Sequence, residues 1–357
     1  MGVYPTALRQ SVRVGYSVTE KDDGGVAGPI EVERVRWSSV DSVEWDEFGR
    51  TCGGSIRATH GYATSWRLRH PFTRRLRAYK VRLAGGGPVI GQCVIGVSGH
   101  LDRLFLDRLQ LRDEHVHLWG SAMAAILADL GPGNYTYGWV LNVEPSREAE
   151  LAAIPAVKIG NVRPITIQGV EFGRWLTWEQ YWKAISENSK RNAKAAVKGI
   201  PDMKVTTLQG VRALRAVPLL ARLRARLSDR KNLSLPITRL IGSYSISLIY
   251  SARYMWVTYV TGGGKPLYCY YGGEYGQATY YLEGASVPDN RGAAWHVLLG
   301  ELQRAYERTP QGLFIMGFID PATHDDANGG GLLRSREACR VTNFPTAIVD
   351  FVYGGRT

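Results

Sequence analysis

Residues 255–271 read MWVTYVTGGGKPLYCYY. Met255 to Thr261 is rich in β-branched and aromatic residues, and Pro266 to Tyr271 has the same strand composition. Gly262-Gly263-Gly264 between them frees the backbone to reverse, so the stretch predicts an antiparallel hairpin. Residues 77–97, RAYKVRLAGGGPVIGQCVIGV, repeat that arrangement as strand Arg77–Leu83, turn Gly85-Gly86-Gly87 and return Val89–Val97. The triplets begin at 85 and 262, an offset close to half of the 357-residue chain. Further elements follow each hairpin in the same order. After the first come a helix over Leu118–Leu130, stopped by Gly131-Pro132-Gly133, and a strand over Tyr135–Val143 ending at Glu144-Pro145. After the second come a strand over Ala278–Leu282, a helix over Trp295–Arg308, and a strand over Leu313–Ile319 ending at Asp320-Pro321. A turn, a helix and a strand end recurring in one register predict a duplicated α/β fold. Each half carries a mostly antiparallel central sheet flanked by helices. The expected division is an extension over 1–28, a first domain over 29–168 and a second over 169–357, the last strand being free to return to the first domain.

Composition agrees with two such domains. Hydrophobic residues make up 45% and charged residues 21%, a balance suited to two packed cores rather than to disorder. No run of about 18 apolar residues occurs, so no membrane span is expected. The start, MGVYPTALRQSVRVGYSVTEKDDGG, lacks an apolar core with a cleavage site, and the expected location is cytoplasmic. Cys52, Cys93, Cys269 and Cys339 are scattered and form no metal-binding spacing, which predicts reduced thiols. His115 and His117 alternate on a predicted strand with no third ligand, so no metal site is expected. P-loop, nucleophile-elbow and dinucleotide-binding patterns are absent.

Charge is unevenly spread. The chain carries a net +12. From Lys183 to Lys231 there are thirteen Lys or Arg against three acids, and Arg67 to Arg82 holds seven more with no acid. These blocks outweigh the total, so the rest is net acidic, which is the footprint of a polyanionic partner. Within the first block, WEQYWKAISENSKRNAKAAVKGIPDMKV (178–205) places Lys183, Lys190, Arg191, Lys194 and Lys198 in one arc of a helix. Trp178, Tyr181, Trp182, Ile185, Ala193, Ala196 and Val197 crowd the opposite side. A helix break near Asn188, with Ser189 as a cap, would interrupt the stripe. A solvated face and a phosphate-binding face both fit this pattern. A second basic helix is expected over Val211–Lys231.

Ser189-Lys190-Arg191-Asn192, Lys194-Ala195 and Lys198-Gly199 resemble the "S-K-x-R-N-x-x-K-A-x-K-x-G" segment of Fem-like transferases, and in a looser form the GNAT-type cellulose-biosynthesis-like acyltransferases. Residues 280–286, YYLEGAS, resemble the same family's "YY-x-x-G-A-S" strand end, and Phe314 to Ile319 its strand closing on a glycine. Gly331-Leu332-Leu333-Arg334-Ser335-Arg336 stands where the family has "G-x-x-x-F-K", with Ser335 replacing the aromatic residue and Arg336 the lysine. The resemblance covers about residues 170–350 and implies tandem GNAT-like domains. It also implies an aminoacyltransferase that takes aminoacyl-tRNA as co-substrate, without a bound cofactor, and joins the aminoacyl group to an amine of a small molecule or peptide.

Candidate residues follow from the chemistry. An ester on tRNA is already activated, so the protein must hold it beside an amine and stabilise the oxyanion. Tyr281, Glu283 and Ser286 at the strand end are the expected catalytic set. Lys190, Arg191, Lys194, Lys198, Arg291, Arg334 and Arg336 are the expected tRNA or phosphate contacts. Tyr268, Tyr270, Tyr271, Tyr275 and Tyr280 are either acceptor-pocket or ordinary sheet residues. Acyl-CoA remains an alternative donor: Asp289-Asn290-Arg291-Gly292-Ala293-Ala294 has the G-x-A of a pyrophosphate turn but an aspartate in the cation position. A binding protein without catalysis, built on the same shell, is the third reading.

Overall fold

The computed structural model describes residues 13–15, 30–99, 102–138, 141, 143–230, 235–290, 292–320 and 329–354. The expected extension, 1–28, lies outside these residues apart from strand β1 (Arg13–Gly15), which pairs with β2. The first half comprises β2 (Ile30–Val35), α1 (Ser42–Thr51), α2 (His60–Leu68), β3 (Arg74–Leu83), β4 (Val89–Ser98), β5 (Asp102–Phe105), β6 (Gln110–Leu111), α3 (Trp119–Leu130), β7 (Gly133–Tyr137), α4 (Glu148–Ala152) and β8 (Val157–Glu171). Two helices, α5 (Trp178–Ala184) and α6 (Glu187–Gly199), connect it to the second half. That half comprises β9 (Lys204–Gln209), α7 (Val217–Arg230), α8 (Ile237–Tyr250), β10 (Met255–Gly262), β11 (Lys265–Tyr275), β12 (Ala278–Ser286), α9 (Ala293–Arg308), β13 (Leu313–Ile319), α10 (Gly329–Ala338) and β14 (Thr342–Tyr353).

The duplication is present element by element. In each half a strand and two helices precede three antiparallel strands, then a helix, a strand running parallel to the third, and a final strand. Both glycine triplets close the same hairpin, β3–β4 in one half and β10–β11 in the other. The half-sheets fuse into one, ordered β1-β2-β3-β4-β5-β7-β14-β8-β13-β12-β11-β10-β9, with β6 beside β4. The join is an exchange of last strands. β8, which ends the first half, pairs with β13 of the second, and β14, which ends the second, pairs with β7 of the first. The two exchanged strands pair with each other from Thr342↔Gly169 to Tyr353↔Val157. Each half thereby completes its sheet only with the other's strand, which ties the halves together through backbone hydrogen bonds.

Strand composition matches this burial. β4, VIGQCVIGVS, is apolar on both faces because α3 covers one side and α1–α2 the other. In the second half α7 and α8 cover one face, with Leu220, Leu223 and Leu248 on Val257, Cys269 and Tyr271. Helices α6 and α9 cover the other, through Ala196 and Val297 on Trp256, Tyr268 and Tyr270.

Two expectations change, and a third point that the sequence left open is decided. His115 and His117 lie in a 3-10 helix, Asp113–Leu118, leading into α3 rather than on a strand. The helix expected over 211–231 begins as a 3-10 turn, Gly210–Ala216, and becomes α-helical at Val217; Lys231 lies outside the described residues. The basic stretch after Trp178 is two helices. Ile185 takes an extended conformation and is buried in the third core, while the Ser186 N–H turns to the Ala338 carbonyl of α10 at 3.1 Å.

Candidate functional site

β12 and β13 run side by side only from Ala278–Leu313 to Tyr280–Ile315. Beyond that the strands separate. β12 shifts register against β11 opposite Tyr271 and Gly272, and β13 shifts against β8 between Ile315 and Gly317. Gly317 has φ +106°, a conformation that a side chain would strain, and a Cβ there would stand 2.8 Å from Nη2 of Arg336. The glycine therefore both bends the strand and seats the guanidinium. A cavity of about 290 Å³ opens between the strands. Tyr281, Leu282, Met316, Phe318 and Arg336 line it from the second half, and Ile56, Arg57, Tyr62 and Leu141 from the first.

Where the strands separate, the second half contributes two polar side chains, Tyr281 and Arg336, beside Arg57 and Tyr62 of the first. The Tyr281 hydroxyl lies 3.0 Å from that of Tyr268, and its ring packs on Tyr270 at 5.0 Å between centroids. Space for this pair exists because residue 284 is glycine: a Cβ would come within 1.7 Å of the Tyr281 oxygen and 2.8 Å of the Tyr268 oxygen. Burial pushes the Tyr281 pKa up, so the group is a neutral O–H donor at physiological pH. Arg336, only 5% exposed, donates from Nη1 to Oε1 of Gln168 at 3.1 Å and to the Phe318 carbonyl at 3.3 Å. Gln168 is held in turn by its amide donating to Oδ1 of Asn343 at 2.8 Å. Nε of Arg336 has no hydrogen-bond partner, and no carboxylate among the described residues pairs with the group. Burial lowers its pKa to about 10, which leaves it cationic at neutral pH. Among the described residues, no carboxylate or imidazole lines the cavity. It offers donors and positive charge, the arrangement that stabilises a developing oxyanion.

The first half shows what the same framework looks like when closed. β5 and β7 run parallel from Asp102–Asn134 to Leu104–Thr136, so Phe105 takes the place of Tyr281 and Gly138, at φ +98°, that of Gly317. Here Phe105 and Trp119 pack edge-on against Tyr137 at 5.2 and 5.6 Å. The Tyr137 hydroxyl accepts from the Leu109 N–H at 3.3 Å, and all of these groups belong to the core. One opening is filled with side chains and the other is left vacant.

No protein-family model and no curated protein matches the sequence. Solved structures do match the fold. The crystal structure of FemX superposes with a TM-score of 0.65 at 12% identity, covering 90% of this chain and 97% of that one. The fold is that of a Fem-like tandem GNAT protein. A tandem GNAT protein from the clavulanic acid biosynthesis pathway, solved without AcCoA, matches at TM-score 0.50 and 14% identity over 92% of this chain and 99% of that one. L-PGS from Bacillus licheniformis matches at TM-score 0.51 and 8% identity over 88% and 92%.

On this tandem GNAT frame the residues singled out from sequence scatter. Tyr281 and Arg336 meet at the cavity. Glu283 does not join them: it turns to the opposite helices, paired with Arg224 of α7 and accepting from the Tyr244 hydroxyl of α8. A carboxylate so engaged is not a free acid or base. Ser286 lies about 16 Å further along β12, where its carbonyl accepts from Arg230. Lys190 is a second correction. It is 5% exposed, donates to the Trp182 carbonyl at 3.0 Å, sits 5.6 Å from the Trp182 ring centroid and pairs with Glu187. The break at Ile185 rotates α6 so that this lysine points inward and Val197 outward. Arg191, Lys194 and Lys198 are exposed on α6 and Arg334 on α10, while Arg291 lies outside the described residues. Tyr268, Tyr270, Tyr271, Tyr275 and Tyr280 are buried sheet residues. All four cysteines are buried free thiols, with burial raising Cys269 and bringing Cys339 up to about 12, so neither serves as a thiolate nucleophile.

The α9 start, where the G-x-A turn was found, is covered. A Cβ at Gly292 would lie 2.3 Å from the Asn192 carbonyl of α6, so that helix rests on the turn. Gly284, Gly317, Tyr268 and Gln168 complete the site. Glycines inside strands were the available sequence signal for the first two; Gln168 comes from the exchanged strand β8 and had none.

Proposed function

We propose that this protein is an acyltransferase that forms an amide from aminoacyl-tRNA and an amine of a small molecule or peptide. The observation that carries the reading is a cavity between the halves with a neutral hydroxyl and a buried guanidinium, and with no carboxylate or imidazole among its described lining residues. Such a site suits aminolysis of an already activated ester. The free amine attacks the ester carbonyl, a C–N bond forms, and Tyr281 and Arg336 stabilise the oxyanion. The C–O bond to the ribose then breaks, and a proton from the nitrogen passes to the departing ribose oxygen. Residues from both halves frame the acceptor's approach, which holds the two reactants together. The covering of the α9 start by α6 favours tRNA over acyl-CoA as donor, because a pyrophosphate needs close approach to those backbone N–H groups.

The test is reconstitution with amino acids, ATP, synthetases, tRNA and a panel of amines. Amide product is expected to vanish with RNase, and Tyr281→Phe to lower turnover by about 100-fold while leaving the fold intact. Product that survives RNase and requires acyl-CoA would assign the alternative donor. Tight RNA binding with no turnover on any amine would make the protein a binding module.

A further inference from the structure

The acid-free block Arg67–Arg82 is sorted by the fold into structural and unoccupied cations. Lys80 pairs with Glu44 and Arg82 with Glu33. Arg74 stacks over Trp66 at 4.4 Å, and Arg69 donates to Ser247. Arg75 and Arg77 remain exposed, with no ion pair or hydrogen bond to a described residue. They share one face of β3 with Tyr79 and Val81, the residues α3 covers, but α3 stops at Leu130 and leaves this end of the face open. The uncovered area is concave, a cavity of about 430 Å³. Arg103 faces Arg75 across Val97, since Arg75 pairs with Val97 and Val97 with Arg103. The one carboxylate among the described lining residues, Asp129, is already engaged by Arg34 at 3.6 Å and by the Tyr79 hydroxyl at 2.7 Å. At the cavity's edge Phe72 stands on the α2–β3 turn with 96% of its surface exposed.

We infer that this cavity on the first half binds a single-stranded, unpaired segment of RNA, with a base stacked on Phe72 and successive phosphates on Arg75 and Arg77. Two cations two residues apart on a strand are spaced by about 6.6 Å, matching consecutive phosphates of an extended strand. An unpacked aromatic ring beside a cationic groove is how proteins hold single strands without reading sequence. A concave site with one isolated ring does not present the continuous apolar face that a lipid surface requires. The inference rests on the proposed tRNA donor and moves its binding surface from α6 to the β3 face.

The experiment measures binding separately from turnover. The probes are an unstructured RNA oligonucleotide, an RNA duplex of equal length and phosphatidylglycerol vesicles, titrated against the full chain over a range of salt. The protein is expected to prefer the single strand. Phe72→Ala should weaken it by about tenfold, and Arg75→Gln with Arg77→Gln should lower the slope of log affinity against log salt by about 1.4. All three side chains are exposed, and an unchanged thermal midpoint checks that the variants fold. Unchanged affinity and slope in both variants would overturn the inference, as would equal binding of duplex and single strand, or variants that lose vesicle binding and keep RNA binding. RNase-sensitive transfer with an unaltered KM for tRNA in both variants would also overturn it while leaving the proposed function standing. Variant-sensitive RNA binding without any transfer would uphold this surface and remove the proposed function.

Discussion

Arg336→Met is expected to leave the stability nearly unchanged and the protein nearly inactive. The guanidinium is 5% exposed, has no carboxylate partner among the described residues, and its pKa is pushed down to about 10 by burial. Each tenfold loss of proton affinity is worth about 1.4 kcal/mol, so keeping the charge inside costs the fold about 3 kcal/mol. Against that, methionine abandons two acceptors, Gln168 Oε1 and the Phe318 carbonyl, a loss of about 2–4 kcal/mol. The two terms nearly cancel, so the variant should lie within about 1 kcal/mol of the parent. Because the depressed pKa belongs to a cation, the penalty applies in full at every pH below about 10. The stability difference should therefore be constant between about pH 6 and 8. Urea denaturation measures the stability, and the transfer assay should show a loss of about 100-fold or more. A variant destabilised by more than about 1 kcal/mol, with activity lost in proportion to unfolding, would refute the view that Arg336 is retained at a cost for chemistry.

Gly284→Ala should displace the Tyr281 hydroxyl, lowering turnover as far as Tyr281→Phe does and costing about 1–3 kcal/mol of stability; wild-type turnover in a folded variant would show that the tyrosine pair is not used. Lys190→Met should cost about 1–3 kcal/mol by leaving the Trp182 carbonyl without its donor, yet leave the salt dependence of RNA binding unchanged, and a shallower slope would return Lys190 to the binding surface. Glu283→Gln should release Arg224 and lower stability by about 1 kcal/mol, a modest figure because the pair is partly exposed, with turnover within about twofold; a collapse of turnover in folded protein would place Glu283 in the chemistry.

Much of the frame was legible in the sequence because strands, helices and turns are written in local periodicity. The glycine triplets at 85 and 262, and the elements that follow them, pointed to the duplication and to the two hairpins with the strands β7, β12 and β13, but not to β5, β8, β9 or β14. The same local reading placed Tyr281 on a strand, and a resemblance singled out Arg336; the structure brings the two to one cavity. Local periodicity misjudged Lys190, which a helical wheel drawn through residues 178–205 puts on the exposed stripe. Burial of Ile185 and the bond from Ser186 to Ala338, a residue far along the chain, break that helix and turn the lysine inward. Glu283 shares a strand with Tyr281, yet the register shift beside it sends the carboxylate to α7 and α8. The return of the last strand to the first domain was open to the sequence reading and occurs as β14 on β7, but the reciprocal pairing of β8 with β13 was not legible, because strand composition does not name a partner in the sheet. That exchange brings Gln168 to Arg336. Sequence by itself determined the two hairpins, the helix and strand that follow each, and that the set occurs twice. Only the tertiary structure decided which copy keeps its opening, because Phe105 and Tyr137 fill the first with packed rings while Tyr281 and Arg336 leave the second vacant.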